Sequence, residues 1–219
     1  MARPRIPETD SGITGEFTCE MYNEMQRRFR DRGWIETDDI IKTGITSGHA
    51  LEVGPGPGYL GLEWLKRTEG TILTGLDISP DMLEICRRNA GEYGFADRAT
   101  YVESKGQSMP FEDDYFDAVF TNGSLHEWEN PVAVMNEIAR VLKPSGRYFI
   151  SDLRRDMNPF IRWFMWIGCK PKEMRPGLTT SVNAAYTPNE LREIVGQSQL
   201  ESPYVHSSAI GHSVHPHVE

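Results

Sequence analysis

The residues best suited to chemistry lie just after an apolar run near residue 50. Gly54, Gly56, Gly58 and Gly61 separate that run from a predicted helix, and Glu52 stands shortly before them. Glycines allow a backbone to approach a ligand closely. We predict that a nucleotide-like ligand lies against this turn. The alternative, a tight turn that binds nothing, would need only one glycine.

The prolines of the same turn narrow the choice of ligand. Residues 56–61 match the dinucleotide pattern GxGxxG, but a pyrophosphate needs backbone N–H donors, which Pro55 and Pro57 lack. The charge of Glu52 would also oppose a phosphate. A phosphate-free, partly cationic ligand fits better. S-adenosylmethionine carries a sulfonium and an ammonium, and Glu52 could face the ammonium directly or through water.

A second acidic residue follows the next predicted strand, residues 71–76. Asp77 comes 19 residues after Gly58, and an acid at this place accepts hydrogen bonds from a ribose diol. Ile78 could then lie against the adenine. NAD also contains a ribose, and Asp77 could instead cap the next turn. The glycine turn alone therefore separates the two cofactors.

A histidine and a glutamate follow the fourth predicted strand. An activated methyl donor needs mainly positioning by the protein, and a base is required only where the acceptor must lose a proton. His126 and Glu127 are the candidate catalytic pair. A structural histidine bonded to the backbone is the open alternative.

Strand and helix patterns alternate around these residues. Alternation implies crossover connections and a mainly parallel sheet covered on both faces. Ligands of such sheets bind beyond the carboxyl ends of the strands, which is where the glycine turn lies. The predicted strands are 49–53, 71–76, 99–102, 116–120 and 146–150, and the predicted helices are 18–32, 38–45, 58–67, 80–89, 131–142 and one that opens with the capping box Thr187–Glu190.

These motifs, in this order, resemble those of the class I S-adenosylmethionine-dependent methyltransferases, in the small-molecule branch similar to the UbiE and Methyltransf-11 group. The match covers about residues 48–152 and rests on LEVGPGPGYLG, LDISPDML, MPFEDDYFDAVF, NGSLHEW and VLKPSGRYFISD. The resemblance implies an α/β fold, a three-layer Rossmann-like sandwich with a seven-stranded, mostly parallel sheet and a C-terminal antiparallel hairpin. It also implies methyl transfer by in-line displacement.

The resemblance further implies a cofactor site, position by position. One position departs from the family pattern: Lys105 replaces the acid that usually accepts from the adenine amine, and a lysine has no acceptor. The backbone around Gly106 and the side chain of Gln107 could substitute. The predicted S-adenosyl-L-methionine site consists of Glu52, Gly54, Pro55, Gly56, Gly58, Asp77, Ile78, Met82, Gly106, Gln107, Asn122, Gly123 and Leu125.

Segments outside the core are expected to select the methyl acceptor. Tyr22, Met25, Trp163 and Trp166 are predicted to bind a small apolar or aromatic molecule, although the lid tryptophans could instead form the lid's own core. The expected organisation is N-terminal cap helices (1–46), a cofactor-binding core (47–152), a substrate lid insertion (153–186), and a C-terminal helix with the final strands (187–219).

Two other functions remain open at this stage. One is a protein that binds S-adenosylmethionine or S-adenosylhomocysteine without turnover. The other is a thiol or metalloid methyltransferase, in which Cys19 and Cys169 of the two cap segments could meet. Cys86 lies at an apolar position of a predicted helix and is expected in the core.

Composition limits the partners and the compartment. A net charge of −9 disfavours a general nucleic-acid binder. Three widely spaced cysteines indicate a reducing cytoplasm. No membrane span is expected, because the aromatic run 160–169 is half the necessary length and residues 1–12 lack an apolar leader run. No metal site is predicted; His212, His215 and His217 are expected in a solvated tail or strand fringe. The oligomeric state is not predicted.

Overall fold

The computed structural model describes residues 4–8 and 13–217. One seven-stranded sheet has the order β3-β2-β1-β4-β5-β7-β6. Strands β1 to β5 are parallel, and β7 is antiparallel to both β5 and β6, which confirms the predicted sheet and its C-terminal hairpin. The strands are β1 His49–Val53, β2 Ile72–Asp77, β3 Ala99–Glu103, β4 Phe116–Asn122, β5 Leu142–Leu153, β6 Pro203–Ser207 and β7 Gly211–Pro216.

Helices connect the strands and cover the sheet, and several begin at the residues predicted. Ser79 Oγ accepts from the backbone N–H of Met82, and Thr187 with Glu190 forms a complete capping box. The helices are α1 Glu16–Asp31, α2 Thr37–Lys42, α3 Tyr59–Arg67, α4 Pro80–Tyr93, α5 Pro131–Val141, α6 Pro159–Gly168, α7 Arg175–Ala184 and α8 Pro188–Val195, with short 3₁₀ turns at Leu125–Glu127 and Lys172–Met174.

Each face of the sheet buries its own apolar cluster. Successive residues of a strand point to opposite faces. Leu51 and Val53 of β1 therefore pack with α5 and α8, and Ala50 packs with α3 and α4. The same alternation puts Glu52 on the α3 and α4 face, beneath the glycine turn. The core thus fixes which side of the turn the acidic residue faces.

Strand β5 is longer than predicted. Residues 143–146 were expected to be the turn that separates a helix from a strand, but the strand already begins at Leu142. Phe116 pairs with Leu142 and Ala118 with Arg147, so a bulge absorbs the extra residues of β5. Pro144 and Gly146 are compatible with such an irregular start, because neither has to complete a regular ladder there.

Two of the three C-terminal histidines lie in the last strand, which is one of the two places expected for them. His212 is buried in β7, opposite Asp152 of β5, and burial lowers its pKa. His215 stacks on Phe149. His217 follows β7 and is exposed. Only the burial of His212 was not expected, because sequence alone gives no sign that the last strand is paired on both sides.

Over residues 4–8 and 13–217, none of the helices combines the length and the apolarity that a membrane crossing would require.

Candidate active site

The glycine turn joins β1 to α3 and holds the chain close to a neighbouring loop. Gly54 has φ of +65°, and a Cβ there would lie 2.7 Å from the Cβ of Ser124. The carbonyl of Pro55 accepts from the N–H of Gly58 at 2.9 Å and closes the turn. Gly54 and Gly56 stay partly exposed, whereas Pro55 and Gly58 are buried. The backbone of the first two glycines is therefore the part of the turn that a ligand can reach.

The side chain of Glu52 lies under this turn. Its carboxyl accepts from the backbone N–H of Gly61, and burial, opposed by that hydrogen bond, raises its pKa to about 8. A Cβ at Gly61 would lie 2.3 Å from Glu52 Oε2, so this glycine makes room for the carboxyl. Among the described residues, Oε2 has no hydrogen-bond partner. The contact of Glu52 with a ligand ammonium stays a prediction.

Asp77 ends β2 beside the turn, as its motif requires. Its Oδ1 accepts from the N–H of Ser79 at 2.9 Å. Burial raises its pKa, and the backbone N–H groups of Ser79, Gly56 and Ile78 oppose that rise. The carboxyl thus both caps the next turn and borders the glycine turn. Its role towards a ribose stays a prediction.

Helix α1 brings Tyr22 over the turn. A Cβ at Gly56 would lie 3.1 Å from the Tyr22 ring, and burial and the nearby Glu127 raise the pKa of Tyr22. Tyr22 was predicted to bind the acceptor, and the structure puts it between the glycine turn and Glu127. Met82, predicted to bind the cofactor, is buried with Cys19 and packs against Tyr22. It supports Tyr22 from below.

The predicted catalytic histidine is fixed by an aspartate of β5. His126 is buried in the 3₁₀ turn after β4. Its Nδ1 lies 2.9 Å from Asp152 Oδ1, and its backbone N–H donates to Asp152 Oδ2 at 2.6 Å. Asp152 thus orients the ring as in a carboxylate–histidine pair, and Nε2 points away from β5.

Two glutamates stand on the Nε2 side of this ring. Nε2 is 3.4 Å from Glu8 Oε2 and 3.9 Å from Glu127 Oε1. Burial opposes the charge of His126, but Asp152, Glu8 and Glu127 raise its pKa to about 10. Burial also raises the pKa of Glu127 to about 7, against the pull of His126. At neutral pH His126 is therefore a cation, and Glu127 exchanges its proton readily.

The remaining predicted cofactor residues surround the ends of β3 and β4. Asn122 donates to Ser151 Oγ at 3.0 Å, the N–H of Gly123 donates to the Ser151 carbonyl at 2.9 Å, and Leu125 is buried with Val53. A Cβ at Gly106 would lie 3.2 Å from Val134, and Gln107 is exposed. These positions lie at or just after the carboxyl ends of β3 and β4. Their contacts with a cofactor stay predictions.

Two of the four residues predicted to bind the acceptor, Trp163 and Trp166, are exposed on α6. Trp163 is 60% exposed on the outer side of α6, and Trp166 stacks with Arg175 and lines a small cavity against α7. The aromatic residues of α6 form no buried core, because α6 has no buried residue. Binding of the acceptor by the two tryptophans stays a prediction. Met25 Sδ of α1, by contrast, meets Cys169 Sγ at 3.9 Å and ties the cap to the segment after α6.

The three cysteines are free, buried and apart in their contacts. Cys19 Sγ donates to the Ile13 carbonyl at 3.4 Å, whereas Cys169 contacts Met25. Cys86 packs in the core against α3 and β3, as expected from its apolar position.

Sequence reasoning missed the residues that complete the His126 cluster. Residues 4–8, an arm before α1, carry no motif, yet Arg5 donates to the His126 carbonyl at 2.9 Å and its guanidinium lies 4.2 Å from the Tyr186 ring centre. Glu8 belongs to the same arm. Asp152 stood in the quoted FISD stretch, where an acid after a buried strand was the signal. The arm gave no signal, because its contacts have no sequence periodicity.

The donor set suits the predicted cofactor. The backbone at Gly54 and Gly56 is partly exposed, Glu52 Oε2 beneath it has no hydrogen-bond partner among the described residues, and the carboxyl of Asp77 ends the neighbouring strand. A ligand with a cationic amino-acid part and a ribose matches these groups in order along β1 and β2.

Known proteins resemble this chain in sequence. Residues 51–150 match the family model described as a methyltransferase domain. The chain is 37% identical over 150 residues to a fatty-acid O-methyltransferase of Mycolicibacterium smegmatis, covering 68% of this chain and 48% of that protein. It is 30% identical over 159 residues to a ubiquinone biosynthesis O-methyltransferase of Vibrio campbellii, covering 72% and 65%. The chain thus spans less than two thirds of either relative.

The fold comparison agrees with the sequence comparison. The crystal structure of a SAM-dependent methyltransferase from Aquifex aeolicus superposes with a TM-score of 0.64 and 20% identity, covering 83% of this chain and 88% of that one. With the strand order and the glycine turn after β1, these findings show that residues 51–150 form a methyltransferase domain of the class I S-adenosylmethionine-dependent type.

Proposed function

We propose that this protein methylates a hydroxyl or similar proton-bearing group of a small apolar or aromatic acceptor, which binds between His126 and Glu127. The observation that carries the proposal is the buried His126–Asp152 pair, in which the His126 Nε2 lies 3.9 Å from Glu127 Oε1. S-adenosylmethionine, when bound, supplies the activated methyl group.

His126 and Glu127 have different roles in the proposed reaction. His126 is cationic because its pKa is about 10, so its Nε2–H donates to the acceptor oxygen and stabilises negative charge there. Glu127, with a pKa of about 7, takes the acceptor's proton. A base whose pKa lies near the working pH is the most effective one. The acceptor oxygen loses one proton and gains one methyl group.

Several features support an apolar acceptor. Two aromatic rings lie near the polar cluster: Tyr22 is close to Glu127 and the glycine turn, and Tyr186 stacks with Arg5, which contacts His126. The names of the two relatives mention a fatty acid and ubiquinone biosynthesis. Glu8 occupies the space in front of Nε2. We propose that the acceptor displaces this carboxylate when it binds.

The thiol and metalloid alternative has less support. A thiol needs to be a thiolate to act as nucleophile or ligand, whereas burial raises the pKa of Cys19 to about 11 and also raises that of Cys169. The two thiols also face different partners.

The test is Glu127→Gln in the full chain, assayed for S-adenosylhomocysteine release over a panel of fatty acids, phenols and hydroquinones. We expect the wild-type kcat to rise with pH through about 7, as Glu127 loses its proton. The variant loses that limb and at least about a hundredfold in kcat. Its affinity for S-adenosylmethionine, from calorimetry, stays within about twofold because Glu127 is not among the cofactor groups.

The matched control is Glu129→Gln, at an acid two residues further along the chain for which we propose no role. It should keep the wild-type rate. Full activity of Glu127→Gln with the acceptor that the wild type turns over would overturn the proposed role. Cofactor binding without turnover of any acceptor would favour the non-catalytic binding protein.

A further inference from the structure

Helix α6 exposes the kind of face that helices normally bury. Phe160, Trp163, Phe164 and Ile167 are 81%, 60%, 73% and 41% exposed. Their spacing of i, i+3, i+4 and i+7 puts them on one side of the helix. An apolar stripe of this form on the surface of a globular protein marks an interaction site.

The helix is held firmly in place on its other side. Asn158 caps its start by accepting from the N–H of Phe160 at 2.8 Å. Arg162 donates to Asn183 Oδ1 of α7 at 2.8 Å, and Met165 lines a cavity with Val182 of α7. The contacts with α7 thus fix which face of α6 points outward.

The charge around α6 is opposite to that of the whole chain. Residues 153–186 contain six Lys or Arg and two Asp or Glu, a net charge of +4, while the chain carries −9. Lys170 and Lys172 follow the helix directly and are exposed. An anionic surface attracts this basic segment and repels the acidic remainder of the chain.

We infer that α6 lies in the interface of an anionic lipid bilayer, with its four apolar side chains among the acyl chains and Lys170 and Lys172 at the headgroups. Interfacial helices combine an apolar face rich in Trp and Phe with basic residues, and here the two lysines follow the end of the helix. Ten residues span about 15 Å, half of a hydrocarbon core, so the helix lies in the plane of the interface. The inference rests on exposure and charge, and is independent of the proposed methyl acceptor.

A second copy of the chain is a less suitable occupant. A symmetric pair would bring the same basic segment against itself, and like charges at close range oppose such contact. Anionic headgroups neutralise that segment instead.

Docking through α6 would bring the active site close to the bilayer. Helix α7 lies behind α6 and contacts the 3₁₀ turn that carries His126. The Ala184 carbonyl of α7 also accepts from Arg5 of the arm. An apolar molecule dissolved in the bilayer would therefore have a short way to the acceptor side of the site.

The test measures sedimentation of the full-length protein with vesicles of phosphatidylcholine, alone or with roughly one phosphatidylglycerol in three lipids. Wild type should bind the anionic vesicles, less strongly at high salt, with a blue shift of tryptophan emission. Trp163→Ser/Phe164→Ser should lower partitioning at least about tenfold. Phe17→Ser/Trp34→Ser is the matched control, since these two side chains are 75% and 64% exposed on other parts of the surface, and should bind as wild type.

Lys170→Glu/Lys172→Glu tests the charge without touching the apolar face, and should weaken binding only to anionic vesicles. Circular dichroism and S-adenosylmethionine affinity check that each variant is folded. Failure of the wild type to bind anionic vesicles, or equal loss in the control, would overturn the inference. So would a dimer, seen by light scattering, that Trp163→Ser/Phe164→Ser dissociates, since the occupant would then be a second copy. Methyl transfer to a water-soluble acceptor is measured separately and reports on the proposed function alone.

Discussion

Two buried glutamates have unusual acidity at this site, each for its own structural reason. Glu52 lies beneath a backbone turn with a single hydrogen bond from Gly61, and Glu127 lies beside the His126 imidazole. Desolvation disfavours the charged form of both. The sequence could identify both residues, because Glu52 stands near the end of a buried strand and Glu127 follows one, but it could not give their acidity, which depends on what covers them.

Glu52 should make the ligand-free protein less stable as pH rises. Its folded pKa of about 8 exceeds the ordinary value near 4.3. The unfolded chain therefore loses this proton first, and stability falls between roughly pH 4 and pH 8. Glu52→Gln should remove up to about 4 kcal/mol of that fall, so its stability relative to wild type rises over this range.

Urea unfolding of both proteins at the two ends of the range measures the difference. Glu24→Gln, at an exposed position of α1, is the control and should follow the wild type. A difference between Glu52→Gln and wild type that is constant with pH would contradict the predicted acidity. If Glu52 also faces the ligand ammonium, Glu52→Gln weakens binding of S-adenosylmethionine and S-adenosylhomocysteine alike, since both carry that group.

At the scale of elements, the ends of β1 and β2 were predictable because apolar runs stop there at glycine and aspartate. The surroundings of Ser124 were not, because its approach to Gly54 joins two segments that are 70 residues apart. Helix α6 was not among the predicted helices. Its apolar spacing is that of a buried helix, and only the position of α7 reveals that the stripe faces outward.

Gly54→Ala should disturb the turn that the cofactor needs. The new Cβ would meet the Cβ of Ser124 at 2.7 Å and would stand at positive φ, which together should cost at least about 2 kcal/mol. Affinity for S-adenosylmethionine should fall with it. Gly91→Ala in α4 is the control: nothing lies within 4 Å of its Cβ position, so helix propensity should stabilise it by about 0.5–1 kcal/mol. Thermal melts with and without ligand compare the two; equal effects would argue against a special turn.

At the scale of the whole molecule, the arm of residues 4–8 reaches the His126 cluster, which lies far away in the sequence. Arg5 contacts His126, Ala184 and Tyr186, and the N–H of Ile6 donates to the Asn183 carbonyl at 3.1 Å. Three separate parts of the chain thus meet at one place. The alternation of strands and helices predicts the sheet, but contacts of such long range leave no local pattern.

Arg5→Ala should release this arm. The amide protons of residues 125–128 and 183–186 should then exchange at least about tenfold faster in hydrogen–deuterium exchange, because their cover opens more often. Arg32→Ala is the control, since Arg32 stacks on Trp34 away from the arm, and it should leave those amides unchanged. Unchanged exchange in Arg5→Ala would show that the arm does not hold the site closed.

The interior position of β7 has a consequence for how the protein is made. β7 is paired on both sides, with β5 and with β6. It follows both of these strands in the sequence. A nascent chain that has emerged only as far as β6 leaves the edge of β5 without its neighbour. Until β7 has been made, the unpaired edge of β5 can pair with another chain, so this edge is where aggregation during synthesis is expected to start.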